Sequence, residues 1–450
     1  MRRIVHRILG GMTLLCFSFL VKPVYALNLL GAYELALRND PTFRSATKDF
    51  EAGLESSPIG RSSILPKLAA SYNQNANRAT QWGAQYTGGP NVAYNWNYPS
   101  NYSYVQLTQP LFNLDAFARW QQGIAQTEFS TSKYLFNTQD LLIRVLQAYT
   151  DLLYAQDQFN YQVAERDAFL EQFKMSKSLN KNGEIAAVDV LESEAAYQAS
   201  EAKVIDAKDM IENAKRKLES ILGEPIQELS KISQLNSVFN LINLTPIRFE
   251  DWKERALANN AELKAATNTV EISKQEYRKN HAAHYPIVNM VAAFSTQTSN
   301  TVTSINQTFN QNYIGVQVNL PLYTGGEINA RTNQAYSNYE KTQADYDVAK
   351  ERIITELRKQ YDAFMSGKQK IQALSAAEGA SVKLVNAMRK SVLGGERINA
   401  DVLLAEKGLF NTRRDLAQTK YNYLLAYLRV HQLGGSLDID DFQKVASYFK

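Results

Sequence analysis

The sequence predicts a mixed α and β fold in which one unit of short helices, strands and very long helices occurs twice. Short motifs recur in the same order about 210–220 residues apart. Two stretches lack charged residues and alternate in polarity, which is typical of strands that cross a membrane. A segment with a heptad pattern follows each of these stretches, which indicates coiled-coil hairpins.

Residues 1–26 have the composition of a secretory signal. A basic start is followed by an apolar run over residues 8–21 and then by a small residue, Ala26. An apolar run of about 14 residues is short for a transmembrane helix, so we expect cleavage and a mature chain that begins near Leu27. The single cysteine, Cys16, lies inside this segment. The mature chain is therefore expected to form no disulfide and no thiolate metal site.

The net charge of the chain comes from the same segment. The chain has 49 Lys+Arg and 45 Asp+Glu, a formal net charge of +4. Four basic residues and no acidic residue fall in the predicted signal: Arg2, Arg3, Arg7 and Lys22. The remainder is formally neutral and has no basic runs, which argues against a nucleic-acid partner. A hydrophobic content of 45% argues against disorder.

The mature chain is predicted to consist of two structural repeats, residues 27–223 and residues 249–435. The motif Asp-Val-Leu at residues 189–191 recurs at residues 401–403, and other motifs recur in the same order with little drift in spacing. The remaining segments are predicted to be a linker and a C-terminal tail: residues 224–248 and residues 436–450.

Each repeat contains a predicted β-hairpin with few charged side chains, at about residues 66–112 and about residues 286–323. No Asp, Glu, Lys or Arg occurs in residues 79–114 or in residues 285–326, and gaps of about 35 residues are improbable at an average charge content. Aromatic residues crowd the first hairpin: Trp82, Tyr86, Tyr94, Trp96, Tyr98, Tyr102 and Tyr104. The lack of charge favours transmembrane strands over a soluble hairpin with a polar face.

Four predicted strands are too few to close a membrane barrel within one chain. A sheet in lipid must have no free edge, and the smallest membrane barrels have about eight strands. Two, three or four chains of four strands each satisfy this condition. The residues alone leave the number of chains open.

Each β-hairpin is followed by a predicted helical hairpin, at about residues 114–222 and about residues 326–433. The first helix of each hairpin is nearly free of proline and extends on the order of 100 Å. A turn containing Gly183, or Gly394 with Gly395, follows it. In the second helix large residues recur every seven positions: Val190, Tyr197, Val204, Ile211 and Leu218, then Val402, Leu409, Leu416, Tyr423 and Val430. Small residues lie three positions later, which predicts a closely packed coiled-coil seam.

Together these features resemble the TolC family of outer-membrane channel proteins over essentially the whole mature chain. Four segments carry the resemblance: residues 39–41, 107–112, 320–326 and 395–403. The resemblance implies a homotrimer, in which a twelve-stranded barrel in the outer membrane of a Gram-negative bacterium continues into a long periplasmic α-helical barrel.

The resemblance also implies a function and its partners. Family members are passive exit ducts for type I protein secretion or multidrug efflux. They work with a periplasmic adaptor (membrane fusion) protein and with an inner-membrane ABC or proton-driven transporter. The expected surroundings of the strands are outer-membrane lipid, and no cofactor and no metal are implied.

The resemblance further implies a gate at the periplasmic tip of the helices. Arg397 and Asp189 match a lock pair that links helical hairpins in the family, and Asp401 matches an acidic residue of the constriction ring. The second acidic ring position is Leu404 in this sequence. We expect Glu192, one turn after Asp189, to supply the missing charge. Solvated turn residues are the alternative interpretation of the lock pair and of Asp401.

Two further residues are implied at the helix tips. Gly183 and Gly395 match the positions that adaptors contact in the family. The tyrosine that supports the lock in the family is Val392 in this sequence. The ring and its support are therefore expected to be thinner than in the usual pattern.

Two other classes of protein are disfavoured. The sequence contains no phosphate-binding loop and no nucleophile elbow, so it does not predict an enzyme. His281 and His284 have a spacing that suits a metal on a helix, but no flanking glutamate completes a protease motif, and an interfacial role is favoured. A periplasmic coiled-coil adaptor or filament protein without a barrel explains the heptads but not the two charge-free hairpins.

Overall fold

The computed structural model describes residues 27–236, 238–299, 307–394 and 396–450. The predicted signal and Gly395 lie outside the described residues. The first half of the described chain forms these elements in order: α1 (Leu29–Asn39), α2 (Pro41–Leu54), α3 (Ser56–Ser62), β1 (Lys67–Ala84), β2 (Asn91–Phe112), α4 (Leu114–Lys181) and α5 (Ala187–Leu222).

The second half repeats this order after a connection that contains one 3₁₀ turn, Leu229–Lys231. Its elements are α6 (Phe249–Asn259), α7 (Ala261–Ala282), β3 (Ile287–Ser299), β4 (Gln307–Asn319), α8 (Glu327–Leu393), α9 (Asn399–Leu433) and a final short helix α10 (Ile439–Ala446). The long helices α4 and α8 have 68 and 67 residues, and their partners α5 and α9 have 36 and 35. The predicted fold class of mixed α and β elements with an internal duplication is confirmed.

The strands form one antiparallel sheet in the order β1-β2-β3-β4. Residues that pair across neighbouring strands project from the same face of a sheet. Leu68 pairs with Leu107, which pairs with Ala292, and Ala292 pairs with Ile314. The apolar positions of all four strands therefore coincide on one face.

The opposite face of the sheet carries more polar side chains. Tyr104 pairs with Ser295, and Ser295 pairs with Gln311. Within the described chain, β1 and β4 each have one edge that pairs with no other strand. The sheet is thus two-faced and open at both sides.

The long helices pack side by side in the order α5–α4–α9–α8. Nearer the sheet, α7 lies between α4 and α8, and α2 and α3 cover the other side of α4. The described helices include none that is both long enough and apolar enough to span a membrane. At about 1.5 Å per residue, α4 and α8 are each about 100 Å long, so the two hairpins reach far from the sheet.

The main hydrophobic core lies where the long helices meet the short ones. Leu146 of α4, Trp252 of α6, Leu428 of α9 and Phe442 of α10 are fully buried in it. The hydroxyl group of Tyr149 lies within hydrogen-bond distance of the carbonyl oxygens of Leu27 and Ser233, at 3.0 and 2.9 Å, and its one proton is shared between them. This core holds the connection between the two halves and the C-terminal segment against both helical hairpins.

Each half closes on itself through an asparagine. The Asn39 side chain donates to the carbonyl oxygen of Leu222 at the end of α5, at 2.9 Å. The Asn260 side chain donates to the carbonyl oxygen of Leu433 at the end of α9, also at 2.9 Å. Gly223, which follows α5, has φ +68° and lies against Asn39, so a side chain there meets both strain and a clash. The start of each half therefore binds the end of its own helical hairpin.

Candidate functional site

The tips of the two helical hairpins have matching turns. The backbone N–H of Glu184 donates to the carbonyl oxygen of Leu179, and that of Glu396 donates to Ser391, both at 2.9 Å. This bond across six residues is typical of helix ends that require a left-handed residue. Gly183 supplies it in the first turn with φ +78°, and Gly395 at the equivalent position lies outside the described residues.

Asp189 lies at the start of α5 in the first tip. Its carboxylate accepts a hydrogen bond from the backbone N–H of Ala186 at 3.2 Å, which satisfies one free donor of the helix N-terminus. The side chain is exposed, and so is that of Glu192 one turn later. Both carboxylates are therefore available at the surface of this tip.

Arg397 and Asp401 lie in the second tip. A guanidinium nitrogen of Arg397 is 3.5 Å from a carboxylate oxygen of Asp401, four residues on. Arg397 is exposed and Asp401 is half-buried. The structure thus brings Arg397 to Asp401, and within the described chain no ion pair joins Arg397 to Asp189. Leu404, at the position where the resembled family is acidic, is exposed.

A buried carboxylate that the sequence did not single out lies in the half of α4 nearer the hairpin tip. Glu165 is only 3% exposed. Its carboxylate is 2.9 Å from the ammonium group of Lys407 on α9 and 3.4 Å from that of Lys203 on α5. Burial opposes ionisation, but the two lysines outweigh it, and the pKa of Glu165 lies below its ordinary value. Glu165 therefore joins both helical hairpins through charged groups.

Cation–π contacts extend this connection on both sides of Glu165. The guanidinium group of Arg414 lies 5.3 Å from the ring centre of Tyr161. The ammonium group of Lys407 lies 5.1 Å from the ring centre of Phe169. Such contacts add attraction between a cation and a ring face, so α4 and α9 are held together on either side of the ion pair.

One further hydrogen bond lies nearer the core. The hydroxyl group of Tyr421 on α9 donates to the carboxylate of Asp157 on α4 at 3.0 Å. Burial raises the pKa of Asp157, and the bond from Tyr421 offsets part of this increase. The residues used on α9 are seven apart, at 407, 414 and 421. This spacing is a signal in the sequence that is consistent with the α4–α9 contact.

The two histidines that the sequence singled out lie at the end of α7. The ring centres of His281 and His284 are 5.7 Å apart. Across the described residues, no group of three or more His, Cys, Asp or Glu side chains gathers where it could hold a metal ion. The rings instead belong to an aromatic cluster where the helices meet the strands.

The architecture defines a class of protein. A four-stranded sheet with one apolar face is joined to two helical hairpins that extend about 100 Å from it, as in a duct anchored by strands in a membrane. The family model described as outer membrane efflux protein matches residues 32–224 and 252–436.

Relatives and solved structures agree with this class. The alkaline protease secretion protein AprF of Pseudomonas aeruginosa is 34% identical over 451 residues, which cover 100% of this chain and 92% of the relative. The proteases secretion protein PrtF of Dickeya chrysanthemi is 34% identical, covering 94% of this chain and 92% of the relative. The outer membrane protein TolC of Escherichia coli is 26% identical, with 96% and 87% covered. The CmeC outer membrane channel of Campylobacter jejuni superposes with a TM-score of 0.73 at 18% identity, covering 94% of this chain and 90% of the other.

The chain belongs to the outer membrane efflux protein family. It is an outer-membrane exit duct of a Gram-negative bacterium, and the expected resemblance is confirmed. The relatives are channel and secretion proteins rather than enzymes.

Proposed function

We propose that three copies of the chain assemble into one passive duct, with twelve strands in the outer membrane and a helical tunnel in the periplasm. The observation that carries the proposal is that sheet and helices are open at corresponding sides. The sheet ends at β1 and β4, and the layer of long helices ends at α5 and α8. Joining each open side to a second copy removes free strand edges, which lipid does not tolerate.

Exposed apolar side chains on the outer helices support this assembly. Ile205 of α5 is 61% exposed and Val348 of α8 is 68% exposed. Large apolar side chains on helices that lack a neighbour are typical of surfaces that pack against a partner. In the proposed trimer, α5 of one copy packs beside α8 of the next.

The cargo that the relatives favour is a secreted protein. AprF and PrtF are named for protease secretion and are 34% identical to this chain, while TolC of Escherichia coli is 26% identical. We therefore propose type I secretion with an inner-membrane ABC transporter and a periplasmic adaptor. Multidrug efflux with a proton-driven transporter is the second candidate. In either case the transporter supplies the energy, and the duct catalyses no reaction.

The proposed gate lies at the hairpin tips. Arg397 is exposed and its bond to Asp401 is long, so it is free to bind Asp189 of a neighbouring copy as a lock. Asp401 and Glu192 are proposed to form the constriction ring. Gly183 and Gly395 are proposed to contact the adaptor. An exposed Arg–Asp pair contributes little to stability, which suits a lock that must open.

Two experiments test the duct itself. Outer-membrane fractions should contain the protein as a species three times the chain mass on unboiled gels, and the purified protein should conduct ions in planar bilayers. A monomeric product in the soluble periplasmic fraction would overturn the proposal and favour a coiled-coil adaptor.

Conductance also tests the gate. Arg397→Gln and Asp189→Asn should each conduct more than the wild-type protein. Arg389→Gln is the matched control, because Arg389 pairs with Glu406 inside the second hairpin at 2.5 Å and lies outside the proposed lock. Asp401→Asn should weaken block by multivalent cations, since a carboxylate ring attracts them. Wild-type conductance in both lock variants would remove the lock assignment.

A further inference from the structure

The helices just below the sheet have two different faces. On one face the Gln122 side chain donates to the carboxylate of Glu276 at 3.0 Å, and Lys279 pairs with the same carboxylate. Arg119 pairs with Asp115 at 2.7 Å on this face. Such a polar, ion-paired face suits the water-filled interior of a duct.

The other face carries aromatic rings at the same level. The rings of Phe117 and Trp120 on α4 are 5.8 Å apart between centres. On α7, the ring of His281 lies 5.9 Å from that of Tyr277 and 5.7 Å from that of Tyr285. Aromatic belts of this kind mark the boundary between a membrane and water. This face therefore suits the outer surface of the duct, where the strands leave the lipid.

A cavity of about 220 Å³ lies between α4 and α7 on this face. Its lining includes the apolar side chains of Leu114 and Phe117 from α4 and Ala282 from α7, together with Arg278 and His281. We call these five residues the collar site. β2 ends at Phe112 and β3 begins at Ile287, so the collar site lies directly beneath two strands.

Arg278 differs from the basic residues around it. Lys274, Lys279 and Arg119 each have a carboxylate partner. In the described ranges, Arg278 has neither a hydrogen bond nor an ion pair. An exposed guanidinium group beside an apolar cavity matches a ligand with an anionic group and a hydrocarbon part.

We propose that the collar site binds an anionic phospholipid from the periplasmic surface of the outer membrane. Arg278 and His281 bind the phosphate, and the first part of an acyl chain lies on Leu114 and Phe117. The proposal rests on the membrane insertion of the sheet, which places this lipid surface at the strand ends. Charge complementarity accounts for the anionic group, and the apolar side chains of Leu114 and Phe117 favour a lipid over a soluble anion.

Lipid titration followed by native mass spectrometry tests the proposal on the purified assembly. The wild-type protein should bind phosphatidylglycerol about tenfold more tightly than phosphatidylcholine, because the choline cation of the latter competes with Arg278 for the phosphate and repels the guanidinium group. Arg278→Gln should abolish this preference. Lys279→Gln is the matched control, since it removes the same charge one residue away on the ion-paired face, and it should keep the preference.

The contrary outcomes are distinct. Equal affinity for both lipids in the wild-type protein, or an equal loss in the Arg278 and Lys279 variants, would overturn the collar site. Displacement of the lipid by inorganic phosphate would assign the site to a soluble anion instead. If Arg278→Gln does not assemble, Arg278→Lys keeps the charge and should retain the preference. A wild-type protein that binds no membrane and conducts no ions would overturn the duct itself.

Discussion

The two helical hairpins have nearly the same lengths but bury different residues of the same heptad pattern. In α9 all five large heptad residues are buried, from Val402 to Val430. In α5 the large residues are half-buried except Leu218, while the small residues Ser193, Ser200 and Ala207 are buried. A repeated sequence pattern has therefore produced two different seams.

Position in the layer explains the difference. The helix α9 lies between α8 and α4, so it has neighbours on two sides and buries its large residues between them. The helix α5 packs against α4 alone among the long helices, and its small residues allow close approach there. The large residues of α5 are directed partly away from that contact. The second hairpin thus buries the large heptad residues of α9 within the chain, whereas most of those of α5 in the first hairpin remain partly exposed.

The largest expected difference between the hairpins is in the free energy of unfolding lost when a large heptad residue is replaced by alanine. Leu416→Ala on α9 removes a side chain that is 4% exposed and should lower the free energy of unfolding by about 2–5 kcal/mol. Val204→Ala on α5, at a half-buried site, should cost about 1 kcal/mol or less in a dissociated chain. Chemical unfolding in detergent measures both. A large cost for Val204→Ala in the assembled trimer alone would place this residue in the contact between copies.

Enlarging the small heptad residues should cost more stability on α5 than on α9, the opposite of the order expected for the large residues. Ser200 on α5 is 1% exposed, so Ser200→Leu overpacks the contact with α4 and should destabilise the protein by about 1–3 kcal/mol. Thr412 on α9 is half-buried, and Thr412→Leu should be nearly neutral. Midpoints of thermal unfolding compare the two variants. Equal costs would mean that both hairpins use one kind of seam.

A pH-dependent contribution belongs to the second hairpin. Asp441 of α10 accepts from Tyr427 at 2.9 Å and lies 3.1 Å from His431, both on α9. Burial opposes its ionisation, but these partners lower the pKa of Asp441 to about 2. The ionised carboxylate therefore stabilises the fold by about 2 kcal/mol above pH ~4, and this contribution is lost as the pH falls towards 2. Asp441→Asn should remove this part of the pH dependence, as measured by comparing its unfolding with that of the wild-type protein between pH 5 and pH 2.

The smallest expected effects on stability are those of replacing the two lysines that pair with Glu165, and conductance distinguishes these two variants. Lys203→Met removes an interaction inside the first hairpin, and Lys407→Met removes one between the hairpins. Each should cost about 1 kcal/mol or less, because both ammonium groups are partly exposed. Only Lys407→Met should raise conductance, since only it loosens one hairpin from the other. Wild-type conductance in both variants would show that the ion pairs of Glu165 have no part in gating.

Much of the fold followed from local sequence patterns. Alternation along β2, β3 and β4 predicted strands with one apolar face, and the pairing of Leu107 with Ala292 and of Ala292 with Ile314 places these residues on a common face. A period of two directly reports the side on which a strand residue projects. Chain order also makes β1 a neighbour of β2 and β3 a neighbour of β4, but β2 and β3 are far apart in sequence and their pairing is decided by the tertiary structure.

The candidate site was less predictable. The tip residues Asp189, Arg397 and Asp401 were found by resemblance, and their roles remain proposals. Glu165 was missed because a glutamate in a long helix is usually solvated, and nothing local distinguishes it from Glu171, which forms an exposed pair with Lys174. Its burial depends on α5 and α9, which are distant in sequence.

The sequence by itself determined the duplication, the strand faces and the long helices, because repeats and periodicities are properties of the chain taken a few residues at a time. The tertiary structure decided which heptad residues are buried, that Arg397 lies beside Asp401, and that Arg278 has no partner among the described residues and lies beside a cavity with apolar lining. These depend on which helices become neighbours. Which helices become neighbours depends on the packing of the whole chain, and no short segment of sequence specifies that packing.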